Sequence, residues 1–191
     1  MSAERPVEPW FSFLTELDAG LEEPVDLHCI GGFIVSQTYG FARETRDLDV
    51  LTVAPRDAAN RLLALAGRGS PLQKKYQVYL DYVGVANYPA DYEGRLTRTF
   101  PVWSRLRIWA LEPHDLALTK LERSNDRDVQ DVVYLARTGL INRETLVSRF
   151  ENELAPYITG PTPTWHRTTL SLWLEQCWPD DSLPTESAQK Q

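Results

Sequence analysis

The chain has 191 residues and a formal net charge of −7, from 20 Lys and Arg residues against 27 Asp and Glu residues. This length suits one domain, or one domain with a small appendage, and a core of that size needs no disulfide or metal for stability. A hydrophobic content of 42% excludes general disorder. The acidic balance argues against a protein that coats DNA through bulk charge.

The sequence shows no sign of export or of membrane insertion. Cys29 and Cys177 lie far apart and have no CxxC spacing, which favours a reducing cytoplasm over a disulfide framework. No apolar run approaches the roughly 18 residues that a membrane helix needs. Residues 1–10 also lack the basic and then apolar pattern of a signal peptide. We therefore expect a cytoplasmic protein with no membrane contact.

The first half of the chain predicts short strands that alternate with helices. The predicted elements are, in chain order, a helix at 10–17, a strand at 25–30, a helix at 33–39, a strand at 48–53, a helix at 58–66 capped by Asp57, a loop at 67–71, a strand at 76–85, an irregular stretch at 86–104 and a strand at 106–111.

The second half predicts helices alone. These helices are expected at 115–123, at 126–138, from the cap Asn142 to about 154, and at 164–177. The pattern indicates an α+β fold with a mixed core at 1–112, a helical region at 113–178 and a disordered tail at 179–191.

The first evidence for a chemical function is a pair of acidic residues, one just before the predicted strand at 48–53 and one within it. Asp47 and Asp49 are two residues apart, so in a strand both carboxylates point to one face. Two like charges at that distance repel unless a cation neutralises them, and Mg²⁺ prefers such oxygen ligands. The alternative is an exposed strand face whose acids are spaced by chance.

Asp81 adds a third carboxylate within the otherwise apolar segment Tyr79–Val83. Burying an acid there is costly unless it is paired or bound to metal. If this strand lies beside the strand that holds Asp47 and Asp49, the three acids converge, as metal-assisted phosphoryl or nucleotidyl transfer requires. The alternative is an acid at the edge of a strand.

A glycine pair and a basic segment indicate phosphate binding. Gly31-Gly32 ends a strand and begins a helix, where backbone N–H groups can hold a phosphate, although the pair can equally form a plain turn. Residues 95–127 are locally basic, which suits an anionic substrate, or else a solvated face. Within the predicted helices, Lys120 precedes Asp128 and Asp131, which share a helix face. Lys120 can therefore form structural ion pairs or clamp a phosphate.

Together, Gly31-Gly32, the segment Arg43–Val50 with its Asp-Leu-Asp core, and the later Lys120 and Arg127-Asp128…Asp131 run resemble a known signature. It is that of the DNA polymerase beta superfamily of nucleotidyltransferases, and the resemblance is strongest to the minimal AbiEii and MenT toxin type. It covers roughly residues 25–140. The expected fold is therefore a nucleotidyltransferase fold, with a small mixed sheet flanked by helices and a helical region after it.

The resemblance implies a role for each matching residue. Asp47, Asp49 and Asp81 would be the metal ligands, for Mg²⁺ or Mn²⁺. The catalytic set would add Lys120 and one or both of Asp128 and Asp131. The nucleotide-binding set would comprise Gly31, Gly32, Thr45, Arg46, Lys120 and Arg123.

The resemblance also implies an activity and its partners. The protein would move an NMP from an NTP to a hydroxyl of RNA, with the tRNA 3′ end as one such acceptor, or of a protein. A role in a toxin-antitoxin or phage-defence system would bring a cognate antitoxin as partner. Residues 33–46 make the connection after Gly32 longer than in the compact signature, and Gly32 stands where many active transferases have Ser. These departures keep open a catalytically inactive binding module, such as an antitoxin or nucleotide sensor. A metal-dependent phosphodiesterase is a third, less favoured alternative, because the Gly-Gly turn and the Lys120 helix argue against it.

Overall fold

A mixed five-stranded sheet with the order β3-β2-β1-β5-β4 forms the centre of the computed structural model, which describes residues 4–83, 86–158 and 162–179. Its strands are β1 (Val25–Ile30), β2 (Asp47–Ala54), β3 (Tyr79–Tyr82), β4 (Thr97–Thr99) and β5 (Leu106–Ala110). β1 pairs antiparallel with β2 and parallel with β5, while β4 runs antiparallel to β5. β3 is an edge strand that runs parallel to β2.

Four helices belong to the sheet half of the molecule. They are α1 (Trp10–Gly20), α2 (Gly31–Phe33) with a π-helical turn at Ile34–Thr38, α3 (Ala58–Ala66) and α4 (Pro71–Tyr76), and a 3-10 turn follows at Tyr92–Arg95. α1, α3 and α4 contact one another, and α3 also contacts β2 and β3. Their buried side chains, such as Phe13 and Leu62, join those of the strands in one hydrophobic core.

The second half of the chain is helical, as its sequence predicts. It contains α5 (Pro113–Leu118), α6 (Asp126–Arg137), α7 (Arg143–Arg149) with a π-helical turn at Phe150–Leu154 and a 3-10 turn at Ala155–Tyr157, and α8 (Thr162–Cys177). A second hydrophobic cluster lies between these helices, around Leu135, Phe150 and Trp173. Tyr39 and Tyr134 pack against both clusters, and the Tyr134 hydroxyl donates to the Tyr39 carbonyl at 2.8 Å.

The expected α+β class is confirmed, and the main errors of the sequence prediction lie between residues 67 and 104. Residues 71–76 form α4, where the sequence predicts a loop and the start of a strand. The Ser70 hydroxyl accepts from the Gln73 N–H, Pro71 occupies the first turn, and Gln77 ends the helix with a φ of 61°. Because the helix uses residues up to Tyr76, only Tyr79–Tyr82 is left as a strand.

Smaller differences concern the ends of elements. β4 lies in the stretch predicted to be irregular, where three residues gain order by pairing with β5. α5 ends at Leu118, short of the predicted 123. Asp57 precedes α3 without accepting a capping hydrogen bond, whereas Asn142 does cap α7 through the Thr145 N–H. Of the predicted tail at 179–191, residues 180–191 lie outside the described residues. Within the described residues no helix is both long and apolar enough to cross a membrane.

Candidate functional site

The three predicted carboxylates lie on one face of the sheet. In β2, Leu48 and Val50 are fully buried, while Asp47 and Asp49 alternate with them and are partly exposed. β3 pairs with β2 so that Asp81 is the direct partner of Asp49, and side chains of paired residues in a parallel ladder point to the same face. The expected adjacency of the two strands is therefore confirmed.

The carboxylates are neighbours, but they are not drawn together into a finished ligand set. Among the described residues, no group of three His, Cys, Asp or Glu side chains is arranged to hold a metal ion. Asp47 and Asp49 lie on β2, and Asp81 lies beside Asp49 on the edge strand. Metal binding by all three acids stays a prediction.

Asp49 is in an electrostatically unfavourable position. Burial raises the pKa of its carboxyl to about 6, and the neighbouring negative charges of Asp47 and Asp81 act in the same direction. The positive charges of Arg123 and Lys120 oppose the increase in pKa only in part. A carboxylate held in this way is stabilised by any further cation that reaches it.

The first glycine of the pair gives Asp49 its place. Gly31 has a φ of +73°, and a Cβ built on it would lie 1.9 Å from Asp49 Oδ2. No other residue type provides both this backbone conformation and this close approach. The backbone of Gly31 therefore packs directly on the proposed metal ligand.

The second glycine makes room for a side chain that the sequence did not single out. A Cβ on Gly32 would lie 2.0 Å from Nη2 of Arg43, a residue of the connection between the π-helical turn and β2. Arg43 forms an ion pair with Asp131, its Nε lying 3.1 Å from Oδ1. The two residues are 88 positions apart, so only the folded chain reveals the contact.

A cavity of about 450 Å³ lies in front of the acidic pair. Its lining carries side chains of both charges. The lining includes the carboxylates Asp47, Asp49 and Asp128 and the arginines Arg43, Arg46, Arg123 and Arg127. Arg46 and Arg127 form no ion pair with the described residues, so their charges are available to an anion. Gly32, Glu44, Thr45 and Asn125 complete the lining.

Thr45 contacts Asp47, one of the two β2 carboxylates that line the cavity. Its hydroxyl lies 2.9 Å from Oδ1 of Asp47 and 3.2 Å from the Asp47 carbonyl oxygen, and it can donate to either. The structure thus shows Thr45 hydrogen-bonded to a proposed metal ligand. A contact between Thr45 and a nucleotide stays a prediction.

Lys120 is engaged by the two acids that follow it. Its side chain is 2% exposed, and Nζ lies 3.2 Å from Asp128 Oδ1 and 2.7 Å from Asp131 Oδ2. Both carboxylates are buried on the inner face of α6. Of the two alternatives for Lys120, the structure shows the ion pairs. A contact between Lys120 and a nucleotide phosphate stays a prediction.

Arg123 lies at the open side of this network. Its side chain is 62% exposed, and Nη2 lies 3.2 Å from Asp128 Oδ1. Together with Asp49 it also lines a smaller cavity of about 90 Å³, on the side of Gly31 and Lys120. Arg123 and Asp49 therefore line both cavities.

A helix cap at Asn125 positions Arg127, the remaining basic residue of the cavity. The Asn125 side chain caps α6 by accepting from the N–H groups of Arg127 and Asp128. This cap fixes the start of α6, where Arg127 and Asp128 face the cavity. The sequence reasoning missed four residues that line the cavity: Arg43, Glu44, Asn125 and Arg127. For Arg127 the signal was present, because it belongs to the basic run that precedes Asp128.

One comparison with known proteins gives a match. A family model described as a nucleotidyltransferase of unknown function (DUF6036) matches residues 11–166. This range includes the cavity and every residue predicted for the site. Searches of curated proteins and of solved structures find no significant match.

Proposed function

The chain belongs to this family of nucleotidyltransferases of unknown function, and on that premise we propose a Mg²⁺-dependent transfer of an NMP from an NTP to a hydroxyl acceptor. One observation carries the proposal. Asp47, Asp49 and four arginines line the same cavity. A metal and a triphosphate require these two kinds of charge side by side.

Asp47 and Asp49 fit a divalent cation. Carboxylate oxygens suit Mg²⁺, or Mn²⁺ in its place, and Mg²⁺ is commonly held by one or two carboxylates together with phosphate oxygens and water. A bound cation would stabilise the negative charge of Asp49, which burial and the neighbouring acids disfavour. When bound, the metal would neutralise charge on the phosphates and activate the attacking hydroxyl. Asp81 would join as the third acid from the edge strand.

The arginines fit the polyphosphate. Arg46 and Arg127 form no ion pair within the described part of the chain, and Arg123, which lines the same cavity, is largely exposed. A guanidinium binds phosphate oxygens through two parallel N–H donors, so these side chains would orient the triphosphate relative to Asp47 and Asp49. Pyrophosphate would be the leaving group.

The acceptor that we propose is a hydroxyl of RNA, with the tRNA 3′ end as the first candidate, or a hydroxyl of a protein. The role is that of the toxin in a toxin-antitoxin or phage-defence pair, with a cognate antitoxin as partner. The resemblance of the Asp-Leu-Asp segment and the later Lys120 motif to AbiEii and MenT toxins supports this choice.

A transfer assay tests the proposal. The purified chain is incubated with each of the four labelled NTPs, Mg²⁺ and either total RNA or a protein extract, and label in the acceptor is measured. We expect one NTP to label one acceptor class, and Asp49→Ala to abolish the labelling. Asp57→Asn is the matched control, because Asp57 is an exposed acid without a capping hydrogen bond. Labelling that survives Asp49→Ala would falsify the proposal.

A second candidate is a nucleotide-binding module without turnover, acting as an antitoxin or a sensor. The observation that favours it is that Lys120, which the transferase proposal would use for phosphate, instead forms ion pairs with Asp128 and Asp131. Calorimetry with pyrophosphate detection separates the two candidates. A sensor binds an NTP and releases no pyrophosphate with any acceptor.

A further inference from the structure

Asp131 is a carboxylate that cannot touch a substrate directly. Its side chain is fully buried on α6, and it is not among the residues that line the cavity. Oδ2 accepts from Lys120 Nζ at 2.7 Å and from Arg43 Nη2 at 3.2 Å. Because both of its neighbours are cations from other parts of the chain, Asp131 acts on the site only through them.

Arg43, in contrast, reaches the cavity and keeps donors to spare. A guanidinium has five N–H donors, and the described residues accept one hydrogen bond from Arg43, the bond from Nη2 to Asp131. Nη1 has no hydrogen-bond partner among the described residues. The side chain lies across Gly32, where any Cβ would displace Nη2.

The ion pairs distinguish Arg43 from the other two cations of this network. Arg43, Lys120 and Arg123 share two carboxylates, those of Asp128 and Asp131. Lys120 and Arg123 also oppose the negative charge of Asp49, whereas among the described residues Arg43 pairs with Asp131 alone. Arg43 is the member of this network that lies between Gly32 and the cavity.

We propose that Arg43 is an anion-binding group for the polyphosphate of the nucleotide and that Asp131 is the positioning residue that holds it across Gly32. This inference rests on the proposed function for the identity of the ligand. It assigns Asp131 a role different from the catalytic one that the sequence suggests. It also makes α6 of the helical region a part of the nucleotide site.

The test measures binding rather than turnover. Inorganic tripolyphosphate is titrated into the full chain by calorimetry in the presence of a chelator, so neither metal nor acceptor is needed. We expect Arg43→Ala to weaken binding by about tenfold or more, the value of one charge-assisted hydrogen-bonding group. Arg61→Ala is the control, because Arg61 forms an exposed ion pair with Glu22 and should leave binding unchanged.

A double-mutant cycle tests the positioning role of Asp131. Asp131→Asn should weaken tripolyphosphate binding in the wild-type background and weaken it clearly less in the Arg43→Ala background, because the part of its effect that passes through Arg43 is then already lost. Any effect that remains passes through Lys120, the other partner of Asp131. Asp128→Asn is the matched control, since Asp128 is equally buried and pairs with Lys120 but not with Arg43. Its effect should add to that of Arg43→Ala. Full additivity of Asp131→Asn with Arg43→Ala would overturn the positioning role.

A second cycle avoids the buried charge, in case Asp131→Asn does not fold. Gly32→Ala places a Cβ where Arg43 Nη2 lies, so it should weaken tripolyphosphate binding while Asp131 stays intact. In the Arg43→Ala background the same substitution should have no effect. If Gly32→Ala weakens binding equally in both backgrounds, Arg43 is not the group that it displaces, and the inference fails.

The two proposals fail in distinguishable ways. If Arg43→Ala weakens tripolyphosphate binding and no acceptor is labelled with any NTP, the inference holds and the transferase function fails. If transfer depends on Asp49 but Arg43→Ala binds tripolyphosphate like the wild type, the transferase function holds and this inference fails.

Discussion

Gly31 and Asp49 are packed so closely that a single methyl group cannot fit between them. A Cβ on Gly31 would lie 1.9 Å from Oδ2 and 2.8 Å from Cγ of Asp49. β1 ends and α2 begins at this point, so the Asp49 carboxylate packs against backbone and not against a side chain. The position of Asp49 therefore depends on the residue at 31.

The first prediction is that Gly31→Ala disables the site. The backbone strain at a φ of +73° should cost about 1–2 kcal/mol of unfolding free energy. A displacement of Asp49 by about 1 Å should lower the transfer rate by about a hundredfold. Gly139→Ala is the matched control, because Gly139 has a φ of +71° and no atom within 4 Å of its built Cβ. It should lose similar stability and keep its activity.

The second prediction concerns the pH dependence of stability. The pKa of Asp49 is raised to about 6 in the folded protein from an ordinary value of 3.8, so the folded state binds the extra proton between these values. Stability then falls as pH rises through this window, since the unfolded state binds fewer protons. We expect Asp49→Asn to raise the free energy of unfolding at pH 7.5 by on the order of 1–2 kcal/mol. The gain should disappear near pH 4. An equal gain at both pH values would exclude the charge of Asp49 as its cause.

The third prediction uses Mg²⁺ in place of the proton. A cation that binds the folded protein alone raises Tm, and protons compete with it for the carboxylate. Millimolar Mg²⁺ should therefore raise Tm at pH 7.5 and have a smaller effect below pH 6. Asp49→Asn should abolish the shift, while Asp57→Asn should retain it. A shift that persists in Asp49→Asn would place the cation elsewhere.

The sequence was most informative where the chemistry depends on local geometry. The period of two in a strand was enough to predict that Asp47 and Asp49 share a face, and in the structure the alternating Leu48 and Val50 are buried in the core. The pairing of Asp49 with Asp81 was expected only on the condition that the two strands are neighbours. The parallel register of β2 and β3 meets that condition.

Long-range contacts and short secondary-structure elements could not be predicted from the sequence. Arg43 belongs to the site because it meets Asp131, a partner 88 residues away that no local pattern indicates. α4 and β4 are too short to show a hydrophobic period. α4 depends on the Ser70 cap, and β4 depends on its pairing with β5. The state of Lys120, engaged by Asp128 and Asp131, likewise required the packing of α6.

The fourth prediction isolates the hydroxyl of Thr45. Thr45→Val keeps the shape of the side chain and removes the donor to Asp47 Oδ1. Because hydrogen bonds to charged groups contribute about 1.5–3 kcal/mol, we expect the Mg²⁺ concentration for half-maximal transfer to rise by about tenfold. Thr45→Ser keeps the hydroxyl and should restore the wild-type value. Equal defects in Thr45→Val and Thr45→Ser would mean that the methyl group, and not the hydroxyl, is needed.

The fifth prediction tests what Lys120 contributes to the fold. Lys120→Met removes a buried cation and leaves Asp128 and Asp131 with fewer partners. Removing one partner of a buried ion pair typically costs about 3–5 kcal/mol, and we expect a loss of that size in urea unfolding at pH 7.5. Lys75→Met is the control, because Lys75 is exposed beside Glu16 and should change the unfolding midpoint little. If Lys120→Met instead unfolds at the wild-type urea concentration, the ion pairs contribute little to stability and the phosphate contact becomes the better account of Lys120.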